Sequence, residues 1–174
     1  MSAPSRSTVA SRVKKIGLVA FSLVITASFV QAENRLGGHF GAVFPLVTHA
    51  DGETTDITDD FQVGFPMGIT VKTSDKFAFD LELVPAIHPD PLRTPLTVHP
   101  GALFGLGHNY TLGMRMAFDV DGASWGFTPL LNKGFPRGGH TIFVEAVTPI
   151  RFQEDDLGES HTAITFGLHV GVGF

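Results

Sequence analysis

The sequence predicts an all-β fold: an eight-stranded antiparallel up-and-down transmembrane β-barrel, preceded by a cleaved signal peptide. Three observations predict it. Apolar residues recur at every second position through most of the chain, the period of a strand with two different faces. The positions between them are rich in glycine and small side chains. The first 32 residues read differently from everything that follows.

That first stretch has the layout of a secretory signal. Arg6, Arg12, Lys14 and Lys15 form a basic start without an acid, and Ile16 to Val30 is an apolar run broken only by small residues. Val30-Gln31-Ala32 then offers side chains a signal peptidase accepts. The run is short for a membrane helix of about 20 residues. Residues 1–32 are therefore expected to be removed, leaving 33–174 as one barrel domain. Cleavage takes four of the 12 Lys+Arg and leaves 8 against 17 Asp+Glu. A chain this acidic lacks the basic footprint of a nucleic-acid binder. With no cysteine, disulfides and thiolate metal sites are excluded.

The alternation divides the chain into eight segments of about 10 to 13 residues, where a tilted transmembrane strand needs about 9 to 11. The last is the clearest: Thr162, Ile164, Phe166, Leu168, Val170, Val172 and Phe174 alternate with His161, Ala163, Thr165, Gly167, His169, Gly171 and Gly173. The others have apolar rows starting at Leu36, Phe61, Phe77, Val98, Leu112, Trp125 and Ile142. Thr48 to Asp60, His88 to Pro95 and Gln153 to Ser160 read as longer polar loops. Ser74 to Lys76, His108 to Tyr110 and Asp121-Gly122 read as tight turns, and Asn132 to Gly139 as an intermediate one.

Which face is the interior follows from the second face. A solvated sheet surface would carry many Lys, Glu, Thr and Ser. Glycine suits the inside of a narrow barrel instead, where there is little room for side chains. The apolar row then faces lipid, and closure leaves no unpaired backbone edge in hydrocarbon.

The final strand, Leu168-His169-Val170-Gly171-Val172-Gly173-Phe174, resembles the closing strand of bacterial outer-membrane barrels. The strand count is similar to the small barrels such as the OmpA membrane domain and OmpX. The resemblance implies export to the bacterial outer membrane and recognition of terminal Phe174 by the outer-membrane assembly machinery. It also implies termini on the periplasmic side and longer loops outside. Six prolines fall within strands, Pro45, Pro66, Pro85, Pro100, Pro129 and Pro149. Each removes a ladder donor, so bulged or splayed strands, with openings to lipid, are expected in the external half.

Inward parity collects ionisable residues. His39, Glu82, Arg115, Glu145 and His169 form an expected polar cluster in the lumen, with Asp80, Asp119 and Arg151 on the same face. Imidazole and carboxylate suit proton handling or metal binding. They equally suit a plug of ion pairs that fills the interior, because buried charges must be paired. Outside, Asp51, Asp56, Asp59 and Asp60 of the first loop and Asp155 and Asp156 of the last are brought side by side by closure. Such oxygen-rich groups suit calcium or magnesium, which would bridge the loops to lipopolysaccharide.

Together these features point to a non-enzymatic outer-membrane barrel with a filled lumen. Its expected roles are envelope integrity, surface interaction or binding of a small hydrophobic ligand. Two alternatives stay open. One is a lipid-modifying enzyme of the lipid A deacylase or acyltransferase type. Its only serine–histidine pair near the external boundary, Ser160-His161, would point to opposite faces of a strand. The other is a soluble periplasmic β-barrel that encloses an apolar ligand.

Overall fold

The computed structural model describes residues 35–121, 124–154 and 159–174. The expected signal segment, Asp155, Asp156 and Gly122 lie outside these. The strands are β1 (Leu36–Ala50), β2 (Glu53–Asp56), β3 (Val63–Gly64), β4 (Met67–Lys72), β5 (Phe77–Pro89), β6 (Leu92–Arg93), β7 (Leu96–Gly107), β8 (Tyr110–Asp119), β9 (Ser124–Arg137), β10 (His140–Val147), β11 (Ile150–Glu154) and β12 (Ser160–Gly173). They build eight antiparallel staves: β1, β3 with β4, β5, β7, β8, β9, β10 with β11, and β12.

The sheet closes on itself. β12 pairs with β10 and β11 on one side and with β1 on the other, from His39↔Gly173 to Ala50↔Ala163. Phe174 extends this seam, its N–H donating to the Gly38 carbonyl while its own carbonyl accepts from the Gly38 N–H, both at 2.9 Å. We call the end that carries Phe174 the base and the opposite end the mouth.

Parity runs as the period-two pattern predicts. On β8, Leu112, Met114, Met116 and Phe118 face out, while Gly113, Arg115 and Ala117 are buried. Phe79 is 57% exposed, Ile69 56% and Phe166 49%. A continuous apolar exterior of this extent is far beyond what a soluble monomer presents to water. Aromatic residues mark both edges of the belt. Phe77 and Phe104, with ring centroids 5.0 Å apart, and Tyr110 lie at the base. Trp125 packs on Phe152 at 4.8 Å toward the mouth.

Several boundaries differ from the sequence reading. β1 runs on to Ala50, turns at Asp51-Gly52 and returns as β2, and β5 and β6 form a second projecting hairpin. Asp51 and Gly52 both have positive φ, the conformation of a two-residue hairpin turn. Polar side chains made these segments look like loops, but a hairpin beyond an apolar belt has no need of an apolar face. The Asn132–Gly139 turn is likewise mostly strand: β9 continues to Arg137 opposite β10, and only Gly138-Gly139 turns.

The prolines act more gently than expected. The stave built from β3 and β4 breaks at Phe65-Pro66, and that built from β10 and β11 breaks at Thr148-Pro149, yet neither break shifts the register. Pairing passes through Pro85 and Pro129, and the β7–β8 ladder skips Pro100 without a shift. Of these prolines only Pro45 sits at a register shift, between Pro45 and Val47. It reverses parity, so that Val47 and His49 face outward. Proline loses a donor but keeps its carbonyl, so hydrogen bonds still cross to the neighbouring strand at these positions. Pro66, Pro85, Pro129 and Pro149 accept from Gly41, Phe65, Thr148 and Thr165 at 2.8–2.9 Å.

Candidate functional site: a polar plug beneath a vestibule

Register decides which inward side chains meet. Thr70, Asp80, Gly101, Arg115 and Thr128 are successive cross-strand partners on β4, β5, β7, β8 and β9. Arg115 therefore reaches across Gly101, where a Cβ would stand 2.6 Å from its Cγ, and donates through Nε to Asp80 Oδ2 at 2.8 Å. Thr70 Oγ1 donates to the other Asp80 oxygen at 2.7 Å. A second row pairs Gly68, Glu82 and His99. A third pairs Asn132, Glu145 and His169 on β9, β10 and β12.

Arg115 joins the rows. Its Nη1 donates to Glu145 Oε1 at 2.9 Å, and its Nη2 lies 3.4 Å from Glu82 Oε2. Asp80, Glu82, Arg115 and Glu145 are all buried, between 2% and 3% exposed. One planar guanidinium holding three carboxylates is the geometry that lysine cannot supply. Asn132 Nδ2 donates to Glu145 Oε2 at 3.2 Å.

Donor logic sets the histidines. His39 Nε2 donates to Glu82 Oε2 at 2.9 Å, and its ring crosses directly over Gly68 to do so. His99 Nδ1 lies 3.1 Å from Glu82 Oε1, and its Nε2 lies 3.2 Å from Arg151 Nη2. Arginine can only donate, so His99 Nε2 accepts and Nδ1 carries the proton. His169 Nδ1 donates to Glu145 Oε1 at 3.1 Å, leaving its buried Nε2 without a partner. In that tautomer Nε2 is a bare lone pair facing the β1 backbone at Gly41. Phe143 packs edge-on against both the His39 and His169 rings, at 6.0 and 4.9 Å.

The five expected lumen residues thus share one network. His39 bonds Glu82 rather than Glu145, and its ring centroid lies 6.2 Å from that of His169. Asp80 and His99 are integral to the network although the candidate cluster omitted them. Both were legible as inward by parity; their partners were not. His39, Asp80 and Glu82 place one ligand atom each within 4.8 Å of one another. Arg115 already occupies both of those carboxylates, so the group fits an ion-paired plug better than a cation site.

Above the plug, toward the mouth, the lumen opens into a vestibule of about 720 Å³. Its floor is Glu82, His99, Arg115 and His169, and Val43, Val63, Val84, Ala86, Val147 and Pro149 are among its walls. Above Arg115 the lumen is therefore open rather than filled, which corrects the expectation of a filled barrel. The inward residues higher up, among them Gly64, Ala86, Thr97, Ala163 and Thr165, are too small to fill it. Arg151 lines the vestibule, with Nη1 3.4 Å from Thr128 Oγ1. Asp119 accepts from Thr97 and Ser124 at 2.8 and 2.6 Å.

At the mouth, Asp51 Oδ2 meets His161 Nδ1 at 3.0 Å, joining the first hairpin to the last strand. Ser160 precedes His161 on β12, where neighbouring side chains point to opposite faces. Thr58 donates its hydroxyl and its N–H to Asp56 Oδ1, at 2.6 and 2.7 Å. The hydroxyl bond foremost holds the Asp56 carboxyl below the usual carboxylate range. Asp59 Oδ2 accepts from the Asp56 N–H, and Asp60 bonds Gln62. These acids are spent on local turns, and among the described residues they do not converge on a common point.

No protein-family model matches the sequence, and no curated protein matches it. Among solved structures, the chain is similar to the outer membrane protein OprG from Pseudomonas aeruginosa. The identity is 10% and the TM-score 0.42, over 79% of this chain and 93% of OprG. It is also similar to Ail, the attachment invasion locus protein of Yersinia pestis, solved with the heparin analogue sucrose octasulfate. There the identity is 9% and the TM-score 0.38, over 80% of this chain and 98% of Ail. The fold itself stands on the chain's own pairing: an eight-stranded closed β-barrel with an apolar belt, the architecture of small outer-membrane barrels, with no named subfamily.

Proposed function

We propose that this protein is a non-enzymatic outer-membrane barrel that binds a small apolar ligand in its vestibule from the external side. One observation carries the reading: a chamber of mainly apolar surface stands over a floor whose Arg115 is paired with three carboxylates. Small-molecule sites are concave, mainly apolar and about 300–1,000 Å³, with a few fixed polar groups. A conducting pore would need a path through Arg115 and its three carboxylates. The base faces the periplasm in this reading, Phe174 presents the assembly signal, and the acidic mouth lies among lipopolysaccharide headgroups with calcium or magnesium between them.

The test uses barrel extracted from outer membranes, its fold checked by a gel shift on boiling, and the apolar dye 1-N-phenylnaphthylamine. Saturable dye binding is expected. Ala86→Trp would fill the chamber from its wall and weaken binding at least tenfold while the gel shift persists. Equal, non-saturable uptake by both proteins would overturn the proposal.

A further inference from the structure

Charge is distributed along this barrel very unevenly. The buried Arg115 and the half-buried Arg151 of the vestibule aside, the described lysines and arginines of Gly37–Phe174 are Lys72, Lys76, Arg93, Lys133 and Arg137. Four of these sit at the base. Lys72 and Lys76 flank the β4–β5 turn, Lys133 is the cross-strand partner of Tyr110 beside the β7–β8 turn, and Arg137 ends β9. Asp75 is the one described acid among these turns. The mouth is the reverse: carboxylates run from Asp51 through Glu159, and Arg93 is its one described Lys or Arg.

The base cations are also placed at a definite height. Their turns are short, so each lies within a residue or two of the exposed apolar belt. Lys72 follows Val71, Lys76 precedes Phe77, and Arg137 lies two residues beyond Phe135. Lys133 is held there: its Nζ sits 4.0 Å over the half-exposed Tyr110 ring and donates to the His108 carbonyl at 2.7 Å. An ammonium fixed just beyond an aromatic girdle stands at the level of lipid headgroups.

We infer that the base is a collar for anionic phospholipid headgroups, with Lys72, Lys76, Lys133 and Arg137 as its contacts. This rests on the membrane reading above and goes further, because it names the lipid class and the leaflet. The collar binds the phosphodiester of a lipid such as phosphatidylglycerol in the periplasmic leaflet. The acidic mouth repels the same headgroup, so the barrel is oriented by charge as well as by assembly. Each near-surface cation changes affinity for an anionic lipid surface by roughly fivefold at low salt, and the effect falls off within a Debye length.

The experiment is native mass spectrometry of the full folded barrel in mixed micelles with equal phosphatidylglycerol and phosphatidylcholine. The wild type should retain phosphatidylglycerol over phosphatidylcholine by roughly fivefold or more, with the ratio falling toward one in high salt. The triple variant Lys72→Gln/Lys76→Gln/Arg137→Gln should lose most of the preference, with Lys133 holding what remains, and Arg93→Gln at the mouth should keep it in full. These are exposed turn positions, and the gel shift on boiling verifies the fold of each variant. No preference in a wild type that shows the shift, or equal loss in Arg93→Gln, overturns the collar alone. A wild type found soluble in the periplasm with no shift overturns the membrane reading and the collar with it.

Discussion

Replacing Arg115 with methionine should cost at least about 3–5 kcal/mol of barrel stability, the usual penalty for removing one partner of a buried ion pair. The substitution keeps much of the volume but takes the only guanidinium from Asp80, Glu82 and Glu145. Thr70, His39, His99, Asn132 and His169 would still donate hydrogen bonds to them. Hydrogen bonds from neutral groups do not offset three negative charges inside a low-dielectric lumen. The measurement is the urea midpoint of the folded barrel in vesicles, followed by the gel shift. Arg115→Lys should recover only part of the loss, because an ammonium cannot span three carboxylates. Adding Glu145→Gln to Arg115→Met should also restore part, since one charge fewer then lies unpaired. An unchanged midpoint in Arg115→Met would mean that the plug is not organised around the guanidinium.

Gly68→Ala is expected to destabilise by about 1–3 kcal/mol through overpacking, and the cost should largely vanish when His39 is alanine. The reason is specific to this register. The His39 ring leaves β1, passes over Gly68 on the second stave and reaches Glu82 on the third. The three nearest atoms a new Cβ would meet all belong to that ring, with Nδ1 at 3.1 Å the farthest of them. A double-mutant cycle isolates this contact. With the ring present, the methyl group must push it from Glu82. With the ring absent, the methyl group enters free space. A Gly68→Ala cost that persists undiminished in His39→Ala would assign it to the strand backbone, and the account of glycine as clearance for crossing side chains would fail at this position.

Both predictions concern the floor of the vestibule, and they bear on the proposed ligand site differently. Loss of Arg115 should loosen the floor and open the lumen. Gly68→Ala shifts one ring at the level of Glu82 and leaves the chamber walls intact. Dye binding should therefore survive Gly68→Ala in barrels that remain folded.

Much of this molecule was decided by local sequence. Alternation with period two is a property of each segment alone, so it marked all eight staves and, except beyond the shift at Pro45, their inward and outward faces. It placed His39, Glu82, Arg115, Glu145 and His169 in the lumen without reference to any neighbour. The glycine-rich inner face and the terminal Leu168–Phe174 segment pointed to closure rather than to a soluble sandwich. What each inward residue touches was decided by the tertiary structure, because register and stagger belong to pairs of strands and to the closed ring. Thus Asp80 became the partner of Arg115 across Gly101, and His99 became the link between Glu82 and Arg151, although neither is near its partner in sequence. Polar composition concealed the β1–β2 and β5–β6 hairpins, since beyond the belt no apolar face is required. The proline effects also depended on the neighbouring strand, whose N–H groups use the carbonyls that proline retains. The vestibule is the least local feature of all: it exists because small inward side chains from many separate staves happen to stand at one height above the plug.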